Sequence, residues 1–170
     1  MTTNYTPLLQ LALPTTGELD GTWGDVVNQN ITSMIEQSIA GRSEISTWTA
    51  NSHTLTLANG TTDEARCAIL DLQPGSGGTA ISGAGEVICP ATSKVYVVSN
   101  NTGYLITFKT ASGTGVDISD ATSLLLVCDG TNVIEGITQS GGGGTPVGAG
   151  IWWKNENSAT STVTIDGNVY

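Results

Sequence analysis

From residue 22 to residue 39 the apolar side chains fall at three- and four-residue steps: Trp23, Val26, Val27, Ile31, Met34, Ile35 and Ile39. That period places them on one stripe of an amphipathic helix, with Asn28, Gln29, Ser33, Glu36 and Gln37 on the other side. Residues 22–25 have the spacing of a capping box, in which the Thr22 hydroxyl accepts from an amide one turn in and the Asp25 carboxylate reaches back. Gly41 follows the last apolar position, where a left-handed stop is expected. The predicted helix runs about 18 residues, roughly 27 Å. So apolar a stripe must cover something. The chain's own sheet and the same helix in sister subunits both fit, and the width of the stripe favours the second.

From Arg42 the period drops to two. Ile45, Thr47 and Thr49 alternate with Ser46, Trp48 and Ala50, and residues 54–57 alternate cleanly with Leu55 and Leu57 facing inward. A turn is predicted at 58–60, and a central strand at 66–72, where both faces are apolar. Further strands are predicted at 86–89 and 94–98, joined across 90–93. A hairpin turn at 100–103 leads into a strand at 104–110, a turn at 111–115 and a short strand at 116–118. A buried strand at 123–128 then makes a tight turn at 129–132 into 133–137. Turn signals at close to ten-residue spacing read as an antiparallel sandwich or barrel. The lack of a strand–helix–strand rhythm argues against a parallel α/β fold.

Ahead of the helix, Tyr5, Leu8, Leu9, Leu11 and Leu13 make residues 1–13 too apolar to float, so an extended arm lying on the domain or on a neighbouring subunit is expected. Residues 14–21 form a turn-rich approach. At the other end, QSGGGGTPVGAG at 139–150 reads as a linker, because four consecutive glycines favour no regular element. Beyond it, 151–154 and 161–166 alternate like a hairpin around a turn at 155–158. Trp152 and Trp153 on so small a piece need a partner surface, either on another protein or on the chain's own β domain. The expected protein is therefore mainly β. An arm and helix (1–41) for oligomerisation and attachment precede a β-sandwich domain (42–138), a glycine-rich linker (139–150) and a C-terminal β tail (151–170).

The stretch LALPTTGELDGTWGDVVNQNITSMIEQSIAG carries a resemblance. Pro14, Thr16 and Gly17, then Gly21, Thr22, Trp23, Gly24 and Asp25, then Asn28, are similar to the N-terminal pattern of bacteriophage tail fibre and tail appendage structural proteins. The likeness runs on more loosely through ANGTTDEAR, ICPATSKVYVVSN, KTASGTG and LLLVCDGTNVIEGIT, so that it covers roughly residues 5–138. It implies a virion part, with a trimer favoured, made in the host cytoplasm and docked to other phage tail or capsid proteins. It names no catalytic residue. Chains of this group often continue into a shaft and a receptor-binding tip, whereas this sequence ends at Tyr170, which sets receptor binding behind assembly as the expectation. The oligomer and docking interface expected on this reading comprises Trp23, Val27, Ile31, Met34, Ile35, Trp152 and Trp153.

Length and charge narrow the field. A chain of 170 residues is one domain with or without an appendage, and can bury about 70% of its unfolded surface. Five Lys and Arg against 15 Asp and Glu give a net charge of −10, which argues against nucleic acid and anionic lipid as partners. Only 12% of residues are charged, so the polar surface is built from Thr, Ser, Asn and Gly. No basic, apolar leader is visible at the N-terminus, and no run in the β region is long enough to span a membrane. Cys67, Cys89 and Cys128 each sit in a strand-like run without metal-ligand spacing, and are expected as buried small apolar side chains.

Candidate chemistry is sparse. His53, the single histidine, is in register with Leu55 and Leu57 and is expected to be structural. No nucleophile elbow is present, and the glycines at 141–144 lack the Lys and following helix of a phosphate loop. Asp63 with Glu64, and Asp117 with Asp120, are the close carboxylate pairs that glycoside hydrolysis or calcium would draw on, and both read as turn acids. No catalytic, cofactor-binding or metal residue is assigned, and an enzyme is not expected. Two alternatives stay beside the appendage reading. One is a glycan-binding module recognising a host surface through Trp48, Trp152 and Trp153; the other is a capsid decoration protein.

Overall fold

The computed structural model describes residues 4–17, 20–137, 164–165 and 168–169. Residues Met1–Thr138 form one compact unit and Gln139–Tyr170 a second. The first unit opens with β1 (Asn4–Tyr5) and β2 (Ala12–Leu13), paired antiparallel. The arm is thus a small hairpin rather than the extended segment expected. Its tight return is closed by the Thr6 amide donating to the Leu11 carbonyl at 2.9 Å. The Leu11 amide donates to Thr6 Oγ1 at 3.0 Å.

The helix runs without a break as α1 (Trp23–Val27), a π-helical turn (Asn28–Thr32) and α2 (Ser33–Ala40). Its existence and extent match the apolar period; both ends differ from expectation. Thr22 makes no side-chain capping bond, so the capping box is not formed. Gly41 is extended (φ −67°, ψ 140°) rather than left-handed. Glycine is required there for another reason: a Cβ would collide with the Gln37 carbonyl oxygen, which accepts from the Gly41 amide. The π turn inserts a residue into the helical period, and Ser33 Oγ donates to the Asn28 carbonyl at 2.8 Å across it.

Nine strands follow in the same unit: β3 (Arg42–Ile45), β4 (Ser52–Thr54), β5 (Ile69–Leu72), β6 (Gly85–Cys89), β7 (Ser93–Asn100), β8 (Ile106–Thr110), β9 (Gly115–Ile118), β10 (Thr122–Asp129) and β11 (Val133–Glu135). They form a five-stranded sheet in the order β11-β10-β7-β5-β3 and a four-stranded sheet in the order β4-β6-β8-β9. From β3 to β8 the chain alternates between the two sheets. Each sheet therefore receives every second strand in the same direction: β3, β5 and β7 are parallel, and so are β4, β6 and β8. The expectation of an antiparallel arrangement holds only for the last part, where β9 pairs with β8, β10 with β7, and β11 with β10. The turn at 100–103 is not a hairpin but an arch between sheets, built around the buried Asn100. Its Nδ2 donates to the carbonyls of Tyr104 and Ile118 at 2.8 Å each, and its Oδ1 accepts from Thr102 Oγ1 at 2.7 Å. The same holds for 90–93, between β6 and β7.

Inward residues of both sheets meet in one core. Leu70, Leu72, Tyr96, Val98 and Leu126 from one sheet pack with Val87, Ile106, Phe108 and Ile118 from the other. The Tyr96 and Phe108 rings lie 5.3 Å apart. β5 is an interior strand, as its two apolar faces predict. All three cysteines are free and buried. In the second unit, β12 (Thr164–Ile165) pairs antiparallel with β13 (Asn168–Val169); the strand expected at 151–154 lies outside the described residues.

The turn into β4 stores strain. Ala50 (φ 50°) and Asn51 (φ 63°) are both left-handed, between Thr49 and Ser52, whose backbones exchange bonds of 2.9 and 3.0 Å. Asparagine tolerates that conformation where alanine resists it. Ala50→Asn is expected to raise the unfolding free energy by about 0.5–1 kcal/mol, read as a higher urea midpoint at unchanged slope.

Candidate functional site

The resemblance motif and the apolar stripe converge on the N-terminal surface. Gly17 (φ 87°) and Gly21 (φ 78°) turn the chain in the left-handed region that favours glycine. Between them and the start of the helix lies an open cleft of about 630 Å³, lined by Pro14, Thr15, Thr16, Gly17, Asp20, Gly21 and Trp23. Five of these are motif residues, and none belongs to the hydrophobic core. Trp23 is 62% exposed. The arm behind the cleft is braced on the β domain: the Gly60 amide donates to the Gln10 carbonyl at 3.2 Å, and a Cβ on Gly60 would press on the Tyr5 ring and on Asn30 of the π turn.

Along the helix, Met34 is buried, Val27 and Ile31 are half-buried, and Ile35 and Ile39 are exposed, the latter by 73%. Val26 is half-buried too, so the stripe is partly covered, and a polar contact adds to the helix's hold on the β domain. Gln37 Nε2 donates to the Asp63 carbonyl at 3.0 Å and approaches Cys67 Sγ at 3.4 Å. Trp152 and Trp153 lie outside the described residues. Of the interface residues read from sequence, the structure thus places Trp23 and Ile35 on the surface, Val27 and Ile31 at its margin, and Met34 inside.

The loop beneath the helix is anchored by a buried ion pair. Arg66 and Asp63 side chains are 0% and 3% exposed, with Nη2 to Oδ2 at 3.0 Å. Arg66 Nη2 also donates to the Ala58 carbonyl at 2.7 Å, and Asp63 accepts from the amides of Ala58 (2.6 Å) and Arg66 (2.9 Å). Lys94 Nζ donates to the carbonyls of Ala65, Arg66 and Cys67 at 2.6–2.7 Å and lies 4.3 Å from the Tyr96 ring centre. Glu64 turns away from Asp63 to meet His53 Nε2 at 3.0 Å, while His53 Nδ1 donates to the Thr47 carbonyl at 2.8 Å. Asp117 accepts from Thr107 Oγ1 and Asp120 from the Gly103 amide, so the carboxylates of each close pair have separate structural partners.

Trp48 is 3% exposed and its indole donates to the Gln73 carbonyl at 2.9 Å. It is therefore a core residue and offers no face for sugar stacking, which corrects the glycan expectation at that position. Sequence reasoning missed a different surface. On the side of the five-stranded sheet away from the core stand Ile69, Val95, Val97, Leu125, Val127 and Ile134, of which Val95, Val97 and Ile134 are exposed. The signal was present in LLLV at 124–127 and in VYVV at 95–98, where both faces of a strand are apolar.

Burial governs the titration of the core beside Lys94. It pushes the Cys89 thiol up from 9.0 to about 12, helped by the neighbouring Cys128 thiol, and raises the Tyr96 phenol. It pushes the Lys94 ammonium down from 10.5 to about 8. The signs oppose. Cys89 contributes stability that is complete below pH 9 and lost as pH rises towards 12, whereas the Lys94 penalty is relieved between pH 8 and 10.5. Between pH 10.5 and 12 only the loss remains. The urea midpoint is expected to fall across that window, and to fall less steeply in Cys89→Ala.

Among the described residues the fold is mixed α/β, with one helix of 18 residues, a five-stranded and a four-stranded sheet, and two separate two-stranded pairs. No protein-family model matches it, and no curated protein and no solved structure gives a significant match.

Proposed function

We propose that this chain is a bacteriophage virion structural protein, a tail fibre or adaptor-type appendage component. It assembles as a homo-oligomer, a trimer being favoured, and docks to other virion proteins through its N-terminal segment. The β portion acts as a sandwich-type body behind that segment. The observation that carries the reading is the position of the motif residues. Pro14, Thr16, Gly17, Gly21 and Trp23 line an open cleft and take no part in the core. A residue set that builds a surface rather than an interior is what a docking segment requires. The partly uncovered stripe with Ile35 and Ile39 adds apolar surface beside it.

The test is to purify the particles encoded with this chain, detect it by mass spectrometry, and place it in an image reconstruction. Stoichiometric presence as a symmetric oligomer at an appendage supports the reading. A monomeric chain missing from particles overturns it. Density over the capsid shell would assign the chain to head decoration instead.

A further inference from the structure

At one end of the β unit three connections come together: the arch between β6 and β7, the turn between β8 and β9, and the turn between β10 and β11. There Thr110 Oγ1 donates to the Thr131 carbonyl, which ties the rim of the four-stranded sheet to that of the five-stranded sheet. Just beneath this rim stand two cysteines, one from each sheet. Cys89 is the last residue of β6, and Cys128 is next to last in β10. Both are buried, at 2% and 0% exposure, and both belong to the core. Their thiols are hydrogen-bonded to one another. Cys128 Sγ also donates at 3.8 Å to the carbonyl of Pro90, the residue that follows Cys89. Cys67 has other partners: Gln37 Nε2 donates to its sulfur at 3.4 Å, and its thiol donates to the Asp63 carbonyl at 3.6 Å.

We infer that Cys89 and Cys128 form a disulfide across the two sheets when the chain meets an oxidising medium that contains a small disulfide, and stand as free thiols in a reducing one. The step is thiol–disulfide exchange with a low-molecular-weight disulfide as the oxidant. One cysteine thiolate attacks the small disulfide and expels a small thiolate. The second cysteine then attacks the mixed disulfide, and the other small thiol leaves. Two protein S–H bonds give way to one S–S bond, and the small disulfide takes up the two protons and two electrons as two thiols. Position gives the oxidant its access, because strand ends open more readily than strand centres. Fraying of the arch after Cys89 bares its sulfur without unpairing the middle of either sheet. The same position makes the reaction slow: burial pushes the Cys89 thiol up to about 12, and the thiolate is the attacking form. The bond would join β6 and β10, which lie in different sheets and share no ladder. It closes a loop of about 40 residues, which in the chain-entropy account shifts the folding equilibrium on the order of several hundredfold towards the folded state. The inference concerns the interior of the β unit and holds whatever the N-terminal surface docks to.

The experiment incubates the full chain, purified in reduced form, overnight with about 5 mM glutathione disulfide at about pH 8. Remaining thiols are then alkylated in denaturant and located by intact mass and peptide mapping. Wild type is expected to keep one alkylatable thiol of its three, with the peptides of Cys89 and Cys128 joined. Its urea midpoint should rise and fall back on reduction. Cys67→Ala should form the same bond, and Cys128→Ala should form none. A parallel sample is refolded from urea in the same mixture, which removes the barrier of burial. A bond between residues 89 and 128 formed only there, with the native circular dichroism spectrum, also supports the pair. Three alkylatable thiols in both samples, a bond through Cys67, glutathione left standing on either cysteine, or a bonded form with a lower urea midpoint than the reduced chain overturns the inference.

Discussion

Replacing Asp63 by alanine is expected to lower the unfolding free energy by about 3–5 kcal/mol, the loss typical of breaking a buried ion pair by removing one partner. The side chain of Arg66 is 0% exposed. Among the described residues its Nε and Nη1 have no hydrogen-bond partner, and its Nη2 is paired with the Asp63 carboxylate. Removing it leaves a guanidinium in the interior and strips the acceptor from the Ala58 and Arg66 amides. The same change loosens the loop whose Asp63 carbonyl holds Gln37, so the helix should lose protection together with the loop. Urea denaturation reads the first effect and amide exchange over residues 33–40 the second. Glu64→Gln provides the contrast. Its partner His53 is reached from a carboxylate that is 30% exposed, and the expected loss is under about 1 kcal/mol. Equal losses in the two variants would remove the special role given to the Asp63–Arg66 pair.

Trp23→Ala should do the reverse. The indole is mostly exposed and outside the core, so the unfolding free energy should change by no more than about 0.5 kcal/mol. Assembly should suffer far more. If the cleft that Trp23 lines is the docking site proposed above, its truncation should remove about 2 kcal/mol or more, about thirtyfold in affinity. Incorporation into particles, scored against wild type at equal expression, reads this effect. A variant that melts early yet incorporates normally would make Trp23 a stabilising residue and leave the cleft without its anchor. Asp20→Asn, on the same cleft, separates charge from apolar contact: if the partner is held through apolar area, the neutral variant should incorporate nearly as wild type does.

The helix was legible because its period is local. Seven apolar positions at three- and four-residue steps specify a helix whatever lies beside it, and the structure has one over those residues. Its ends were less so. A capping box and a glycine stop are statistical preferences, and here the first turn lacks the side-chain bond while Gly41 serves close approach to Gln37. The burial of Cys67, Cys89 and Cys128 also followed from their strand-like surroundings. The turns expected at 111–115 and 129–132 are present, each joining antiparallel neighbours of one sheet, and Asp129 anchors the second by accepting from the amides of Thr131 and Asn132.

Sheet membership is another matter. Residues 100–103 and 129–132 have similar turn chemistry, but the first crosses the core to the other sheet and the second folds back on its own. The difference lies in Asn100, whose amide is satisfied inside by the carbonyls of Tyr104 and Ile118. Ile118 is 18 residues away, a separation that no local window can see. The parallel order of β3, β5 and β7 arises in the same non-local way, and so does the exposure of the Val95–Val97 side of β7. Local periodicity therefore marks the helix and most strands, since each depends on neighbours a few residues off, but not their bounds: the alternating stretches at 45–50 and 54–57 are strand only at Ile45 and Thr54. Which strands lie side by side, which face meets solvent and which tryptophan is sunk or bare depend on contacts between distant segments, and only the folded chain brings those together.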